Sequence, residues 1–390
     1  MIQKVKGQLL VFNRIALVIF ILGCISALLV SCSSAANINI PVPSNSTPQS
    51  VSTPTATQST QNTTPAIPNP NSTSPSIASN SQITPFTLSN STPSSTPTSA
   101  INTGTTPQSG QANIKTVFLI LMENHNWSDI LNNPSAPYIN QILLPQASYA
   151  TQYYNPQGNH PSEPNYLWLE AGTNFGVNND DAPKSNHQSS TDHLVTYLDK
   201  AGISWKAYEE GISGKVCPIS GTGLYAPKHN PMVFFDNVTD NNNPNSTYCI
   251  SHERPFTELQ SDLQNNAVAQ YNFITPNLCN DMHNSDGCQT GDAIKNGDTW
   301  LSQQIPMIMA SNAYKQGGVI FIAWDESENG DHPIGMIVLS PFAKGNSYSN
   351  SIHYTHSSTL RTIQEIFHVI PLLGDAANAT DLSDLFTKFP

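Results

Sequence analysis

The stretch from Thr116 to Met122 reads TVFLILM and is followed directly by Glu123 and Asn124. A short apolar run without alternation predicts a strand that is buried on both faces, as in a parallel sheet. Three further runs of this kind occur, at 271–275, 319–324 and 336–339. They predict the central sheet of one large domain that covers residues 115–390.

Helical patterns lie between these runs, at 163–171, 193–201, 297–314 and 357–367. Strands that alternate with helices predict an α/β fold, with helices on both faces of a largely parallel sheet in a three-layer α/β/α sandwich. Ligands of such sheets bind beyond the carboxyl ends of the strands. We therefore expect the functional residues directly after the apolar runs.

Polar side chains do follow three of these runs. Glu123 and Asn124 end the first run, and Asp325 and Glu326 end the third. The second is followed by Asn277, Asp281 and His283. Adjacent carboxylates at the end of a buried strand need a compensating charge. A divalent metal ion would supply it, and oxygen ligands suit Mg, Ca or Mn, although zinc also accepts carboxylates. The alternative is that these acids lie on exposed loop tips.

Ser162 lies in the stretch GNHPSEPNY at 158–166, just before a helical pattern. A serine there is often an N-cap, and the pattern alone favours that role. A metal could also make its hydroxyl a nucleophile, and a helix N-terminus stabilises anions. His160, His283 and His356 lie in loops or at a helix start, where each is either solvated or available as a proton donor.

Four cysteines lie in the predicted domain: Cys217, Cys249, Cys279 and Cys288. An even number outside the cytoplasm indicates disulfides. Proximity in sequence favours Cys217 with Cys249 and Cys279 with Cys288. A zinc site is disfavoured because no close Cys-x-x-Cys pair occurs.

Residues 1–32 have the layout of a secretory signal, with early basic residues and then an apolar run. Cys32 ends a stretch that resembles a bacterial lipobox, which predicts a lipid anchor to the membrane at Cys32. Cleavage with release, or an uncleaved anchor helix, are the alternatives. Residues 33–114 are rich in Ser, Thr and Pro and carry no charge, which predicts a disordered stalk. Each reading places the domain outside the cytoplasm, as a cell-surface lipoprotein or a secreted protein.

The charge of the chain limits its partners. Without the three basic residues of the signal, Lys4, Lys6 and Arg14, the formal net charge changes from −12 to −15. Such a surface argues against nucleic acid, because binding to a phosphate backbone needs clustered Lys and Arg. A site for an anionic substrate would need a metal cation to reverse the local field.

Together these stretches resemble the phosphoesterase family of acid phosphatases and bacterial phospholipases C, in the alkaline-phosphatase-like superfamily. The matching blocks occur in order over nearly the whole domain: 122–124 with Asp129, 160–166, 274–283, 324–326, 340–341 and 354–361. The resemblance implies an alkaline-phosphatase-like fold and a phosphate-ester substrate.

The resemblance also implies a role for each candidate residue. Ser162 would be the nucleophile, and the metal ligands would be Glu123, Asn124, Ser162, Asp325 and Glu326. His283 would contact phosphate or donate a proton, as would His160 and His356.

Other functions remain open. Many phospholipases C carry a Gly-rich stretch and an Asp-His pair after the Asp-Glu pair, where this chain has Asp331 and His332. The short domain favours an acid-phosphatase-like phosphomonoesterase that works through a phosphoseryl intermediate. A phospholipase C acting on lipid head groups and a catalytically silent surface binding protein are the alternatives. The sulfatase signature is absent around Ser162.

Overall fold

The computed structural model describes residues 112–390. The predicted signal peptide, the lipobox with Cys32 and all but the last residues of the predicted stalk lie outside this part of the chain. None of the helices that the described residues form has the length and apolarity that crossing a bilayer requires.

Ten strands lie in this part of the chain: β1 Thr116–Met122, β2 Ser148–Ala150, β3 Tyr153–Tyr154, β4 Trp205–Glu209, β5 Glu253–Pro255, β6 Tyr271–Thr275, β7 Gly318–Trp324, β8 Met336–Leu339, β9 Tyr348–Asn350 and β10 Tyr354–Thr355. The helices are α1 Trp127–Ile130, α2 Leu144–Gln146, α3 Ser162–Ala171, α4 Pro183–Asn186, α5 Leu194–Lys200, α6 Asp236–Thr239, α7 Thr247–His252, α8 Leu259–Gln264, α9 Ala293–Ala310, α10 Asn312–Lys315 and α11 His356–Ile366.

Eight of these strands form one sheet, in the order β5-β4-β6-β1-β7-β8-β2-β9. Strands β5, β4, β6, β1 and β7 are parallel to one another, and β8 runs antiparallel to β7. Every residue of β1, β6, β7 and β8 is buried, so both faces of the central sheet are covered. The predicted α/β fold with a largely parallel sheet is confirmed.

The predicted long helix at 297–314 differs from the structure at both ends. Helix α9 begins at Ala293, because the side chain of Asp292 accepts a hydrogen bond from the backbone of Lys295 and caps it. It ends at Ala310, where Ser311 caps the separate helix α10. Two polar capping residues therefore set the boundaries that apolar spacing alone missed.

Candidate active site

The carboxyl ends of β6, β1 and β7 lie side by side, because these strands are neighbours in the sheet. Met122 pairs with Trp324 in parallel register, so the residues that follow, Glu123 and Asp325, emerge next to each other. The backbone N–H of Glu123 donates to the carbonyl oxygen of Asp281, after β6, at 2.7 Å. Three strand ends thus meet at one edge of the sheet, as the sequence predicts.

Ser162 is the first residue of α3, and its hydroxyl donates to Oε2 of Glu123 at 3.1 Å. Tyr166, one turn later, donates its hydroxyl to the other oxygen of Glu123. All three side chains are fully buried. The cap position is held by Pro161, and no side chain caps the helix. The interpretation of Ser162 as an N-cap is therefore wrong, because its hydroxyl binds a predicted metal ligand instead.

Asn124 joins Glu123 and Asp325 in a cluster of oxygen-bearing side chains. Its backbone N–H donates to Oδ1 of Asp325 at 3.0 Å. Its terminal amide lies 2.7 Å from Oε2 of Glu123 and 3.0 Å from Oδ1 of Asp325. Without a cation, the amide nitrogen satisfies both carboxylates by donating to them. A bound cation would instead be coordinated by the amide oxygen and the two carboxylates.

Buried negative charge dominates this cluster. Burial, with the charges of Glu123 and Glu326, raises the pKa of Asp325 well above its usual range. No group of three or more His, Cys, Asp or Glu side chains within residues 112–390 has the spacing of a metal site. A metal would therefore depend also on the oxygens of Asn124 and Ser162. This donor set fits a hard cation that prefers oxygen ligands.

Glu326 is paired with His160. Nδ1 of His160 contacts Oε2 of Glu326, and Nε2 lies 3.4 Å from Oδ1 of Asp331. Asp331 is held in turn by the backbone N–H of Gly158, at 3.0 Å. Burial raises the pKa of Glu326, although the contact with His160 opposes this shift. The His160 side chain is 34% exposed, so it lies at the open side of the site.

His229 is a site residue that the sequence does not predict. Its Nε2 lies 3.2 Å from Oε2 of Glu123, and its Nδ1 lies 3.4 Å from Oδ2 of Asp281. The ring stacks on Tyr166 with centroids 5.2 Å apart. Burial opposes protonation, but the charges of Glu123 and Asp281 raise the pKa of His229 to about 9. His229 is therefore a buried cation that bridges two strand ends.

Little in the sequence could have found His229. It lies in a 3₁₀ turn, Pro227–His229, between β4 and β5, away from every predicted strand end. The one feature that could have drawn attention to it is the sequence Lys228, His229, Asn230 in a loop. A histidine in a loop is usually solvated, so this feature alone does not predict a role in the site. Its partners come from segments that are distant in sequence, and only the folded chain brings them together.

His283 lies next to His229, with ring centroids 5.8 Å apart. Its backbone N–H donates to Oδ1 of Asp281 at 2.7 Å. Its segment is closed by the disulfide between Cys279 and Cys288. The other disulfide joins Cys217 to Cys249, so both predicted pairings are confirmed. The side chain of His283 is exposed, which suits a group that exchanges protons with a substrate or with solvent.

His356 contacts the cluster of predicted metal ligands through the backbone of Asp325. Its Nε2 binds the backbone carbonyl oxygen of Asp325, and its Nδ1 lies 3.0 Å from the hydroxyl of Tyr153. Burial lowers the pKa of His356 to about 4, so the ring is neutral at ordinary pH. Both ring nitrogens are engaged, and this geometry supports positioning of Asp325 more than proton donation to a substrate.

Comparison with known proteins gives several relatives. Phosphatidylinositol-3-phosphatase from Mycobacterium tuberculosis is 28% identical over 271 residues, which cover 69% of this chain and 82% of that protein. A phosphate-repressible acid phosphatase from Penicillium chrysogenum is 30% identical over 45% of this chain and 40% of its own length. A probable acid phosphatase from Kluyveromyces lactis is 27% identical over 70% of this chain and 65% of its length. The chain thus spans less than two thirds of each of these two fungal relatives.

A crystal structure of a protein in the alkaline phosphatase superfamily from Vibrio parahaemolyticus is also similar. Its TM-score is 0.47 and its identity 12%, over 70% of each chain. The model of the Phosphoesterase family matches residues 151–370, which include Ser162, His229, Asp325 and Glu326. Because this match covers more than half of the 390 residues, the chain belongs to the phosphoesterase family.

Proposed function

We propose that this phosphate-ester hydrolase is an exported, metal-dependent phosphomonoesterase that works through a phosphoseryl intermediate on Ser162. One observation carries the proposal: the Ser162 hydroxyl binds Glu123, whose carboxylate meets Asn124 and Asp325 in one buried cluster. A hydroxyl in that place can be activated by a metal, and it has no competing role as a helix cap.

The chain supplies groups for each step of in-line phosphoryl transfer. A divalent cation held by the predicted ligands Glu123, Asn124, Ser162, Asp325 and Glu326 would supply positive charge that lowers the pKa of the hydroxyl and neutralises phosphoryl oxygens. Oγ of Ser162 gives up its proton through Oε2 of Glu123, to which it donates, and forms a bond to phosphorus. The bond between phosphorus and the leaving oxygen breaks, and that oxygen takes a proton from His283 or His160. Water then attacks phosphorus, the bond to Oγ breaks, and phosphate leaves as Ser162 regains a proton.

Two observations support export and the choice of substrate. Two disulfides in one domain favour a compartment outside the cytoplasm. Anchoring through Cys32, or release, remains part of the proposal. The acid phosphatases among the relatives favour a monoester, and the name of the mycobacterial relative adds lipid-linked phosphate to the substrates worth testing. Turnover of a soluble aryl phosphate compared with a phospholipid diester would separate this proposal from a phospholipase C.

Replacing Ser162 with Ala tests the nucleophile. We expect kcat for an aryl phosphomonoester to fall by on the order of 10³-fold or more, because the attacking oxygen is lost. Ser261→Ala is the matched control, since Ser261 is exposed on α8 and binds only the Glu258 carbonyl oxygen. It should keep full activity. Undiminished turnover by folded, metal-loaded Ser162→Ala protein would refute the proposal.

Replacing Asp325 with Asn tests the metal. We expect the metal content of the purified protein, measured by mass spectrometry, to fall from about one ion per chain to nearly none, because one anionic ligand is lost. Activity should fall with it. Asp236→Asn is the control, because Asp236 pairs with the half-exposed His187 and lies outside the cluster. Equal metal content in both variants would contradict the assigned ligands.

A further inference from the structure

A charged pair beside the nucleophile has no part in the steps above. Nζ of Lys228 lies 2.8 Å from Oδ2 of Asp180. The other oxygen of Asp180 accepts a hydrogen bond from the backbone N–H of Glu163 at 3.0 Å. Glu163 follows Ser162 at the start of α3. Asp180 therefore ties the Lys228 side chain to the helix end that carries the nucleophile.

Lys228 also lies close to the metal-ligand cluster. It precedes His229, whose ring contacts Glu123. Burial would lower the pKa of Lys228, but the bond to Asp180 and the charges of Glu123 and Asp325 raise it above its usual value. Its charge in turn contributes to lowering the pKa of Glu123. Lys228 is therefore a permanent cation within electrostatic reach of both carboxylates.

The ammonium group of Lys228 keeps donors for a ligand. A lysine has three N–H donors, and Asp180 is the one acceptor that Nζ reaches among residues 112–390. The Lys228 side chain is 22% exposed, whereas Ser162 and Glu123 are fully buried. Two donors of this partly exposed cation therefore have no acceptor among residues 112–390.

In the described part of the chain, the ion-pair partners of this cluster are histidines. Among the described residues, Glu123, Glu326 and Asp281 form ion pairs with histidines, and no lysine or arginine pairs with them or with Asp325. A phosphomonoester carries close to two negative charges at neutral pH, because its second pKa is about 6. A phosphodiester carries one charge and replaces one charged oxygen with an ester group. A lysine beside the nucleophile would therefore distinguish these two substrate classes.

We propose that Lys228, held in place by Asp180, determines specificity by donating to the second charged oxygen of a phosphomonoester dianion. This rests on the proposed phosphoesterase function and narrows its substrate class to dianionic monoesters. A charged donor gains most from a charged acceptor. A diester offers no acceptor of that kind in the same position, so Lys228 contributes little to its turnover.

Lys228→Met tests the assignment with two substrates that share a leaving group, 4-nitrophenyl phosphate and methyl 4-nitrophenyl phosphate. We expect kcat/KM for the monoester to fall on the order of 10- to 100-fold, the usual range for losing a charged hydrogen bond. The diester should lose less than about 3-fold. Because one sample turns over both substrates, their ratio does not depend on the folded fraction. Inhibition by inorganic phosphate is a second readout, and its inhibition constant should rise by a similar factor to the monoester loss.

Three further variants sharpen the test. Lys228→Arg keeps the charge and should restore most of the substrate ratio. Asp180→Asn keeps an acceptor for Glu163 but holds Lys228 less firmly, so the ratio should shift part of the way. Lys315→Met should leave it unchanged, because Lys315 is an exposed lysine that precedes the amino end of β7.

Equal losses for both esters, or an unchanged constant for phosphate, would overturn the role of Lys228 and leave the proposed function standing. Absence of turnover of the monoester by folded, metal-loaded wild-type protein would overturn both.

Discussion

His229 shows what one residue adds to the site. Its buried ring lies between two buried carboxylates, Glu123 from the end of β1 and Asp281 from the connection after β6. The carboxylates hold its pKa at about 9, above the usual value of 6.5. The resulting stabilisation is fully present below about pH 6.5 and is lost as the pH rises through about 9. A protonated His229 therefore balances charge that the strand ends would otherwise bury alone.

Replacing His229 with Gln should destabilise the domain by about 3 kcal/mol at neutral pH, because a buried pair loses one partner. Urea unfolding monitored by circular dichroism gives the free energy of unfolding. His187→Gln is the control: His187 is half exposed and pairs with Asp236, and its loss should change the free energy of unfolding by less than about 0.5 kcal/mol. Similar values for the two variants would rule out His229 as a buried cation.

The edge strand β5 and its neighbour β4 carry an acid pair of a different kind. Glu209 ends β4 and Glu253 begins β5, and their side chains are fully buried. Glu253 accepts a hydrogen bond from Asn230, next to His229, at 2.7 Å. Neither acid has a basic partner within ion-pair distance in the described part of the chain. Burial raises the pKa of Glu253 to about 8, and burial with repulsion from Glu253 raises that of Glu209 well above its usual range.

A carboxyl group whose pKa is raised by folding stabilises the folded state at low pH. The contribution is fully present below about pH 4.5, the usual pKa of glutamate, and is lost as the pH rises through about 8. We expect the unfolding temperature to fall over this interval, and to fall by about 5 °C less in Glu253→Gln protein. Glu258→Gln, which breaks only a partly exposed pair with Arg254, should follow the wild type. If the unfolding temperatures of Glu253→Gln and wild-type protein changed in parallel with pH, the acid pair would not contribute to the pH dependence of stability.

The sequence predicts some of the strands and misses others. Strands β1, β6, β7 and β8 are apolar on both faces, so composition alone identifies them. Strand β4 reads WKAYE, and its charged residues Lys206 and Glu209 prevent its recognition as a buried strand. In the structure Lys206 pairs with Asp262, and Glu209 accepts a hydrogen bond from Thr275. Strands of two or three residues, such as β3 and β10, leave too little pattern to read. The apolar pattern also does not predict the direction of a strand, because β8 has the same pattern as β7 but runs antiparallel to it.

At the scale of the whole domain, the site is an edge where distant segments meet. The residues that follow the central strands could be predicted, because a parallel sheet places its carboxyl ends together. Ser162 could be located in the sequence, but its contact with Glu123 depends on how α3 packs. His229, Lys228 and Asp180 come from long connections whose course no local pattern encodes. The domain is acidic, so cations placed by these connections matter for binding an anionic substrate.

Trapping the covalent intermediate tests the role of Ser162 most directly. Wild-type protein is mixed with an aryl phosphomonoester, quenched in acid within a single turnover, digested and analysed by mass spectrometry. The peptide that contains Ser162 should carry one added phosphoryl group on that serine, and Ser162→Ala protein should carry none. A phosphoryl group on a histidine, or steady turnover with Ser162 never modified, would contradict a phosphoseryl mechanism.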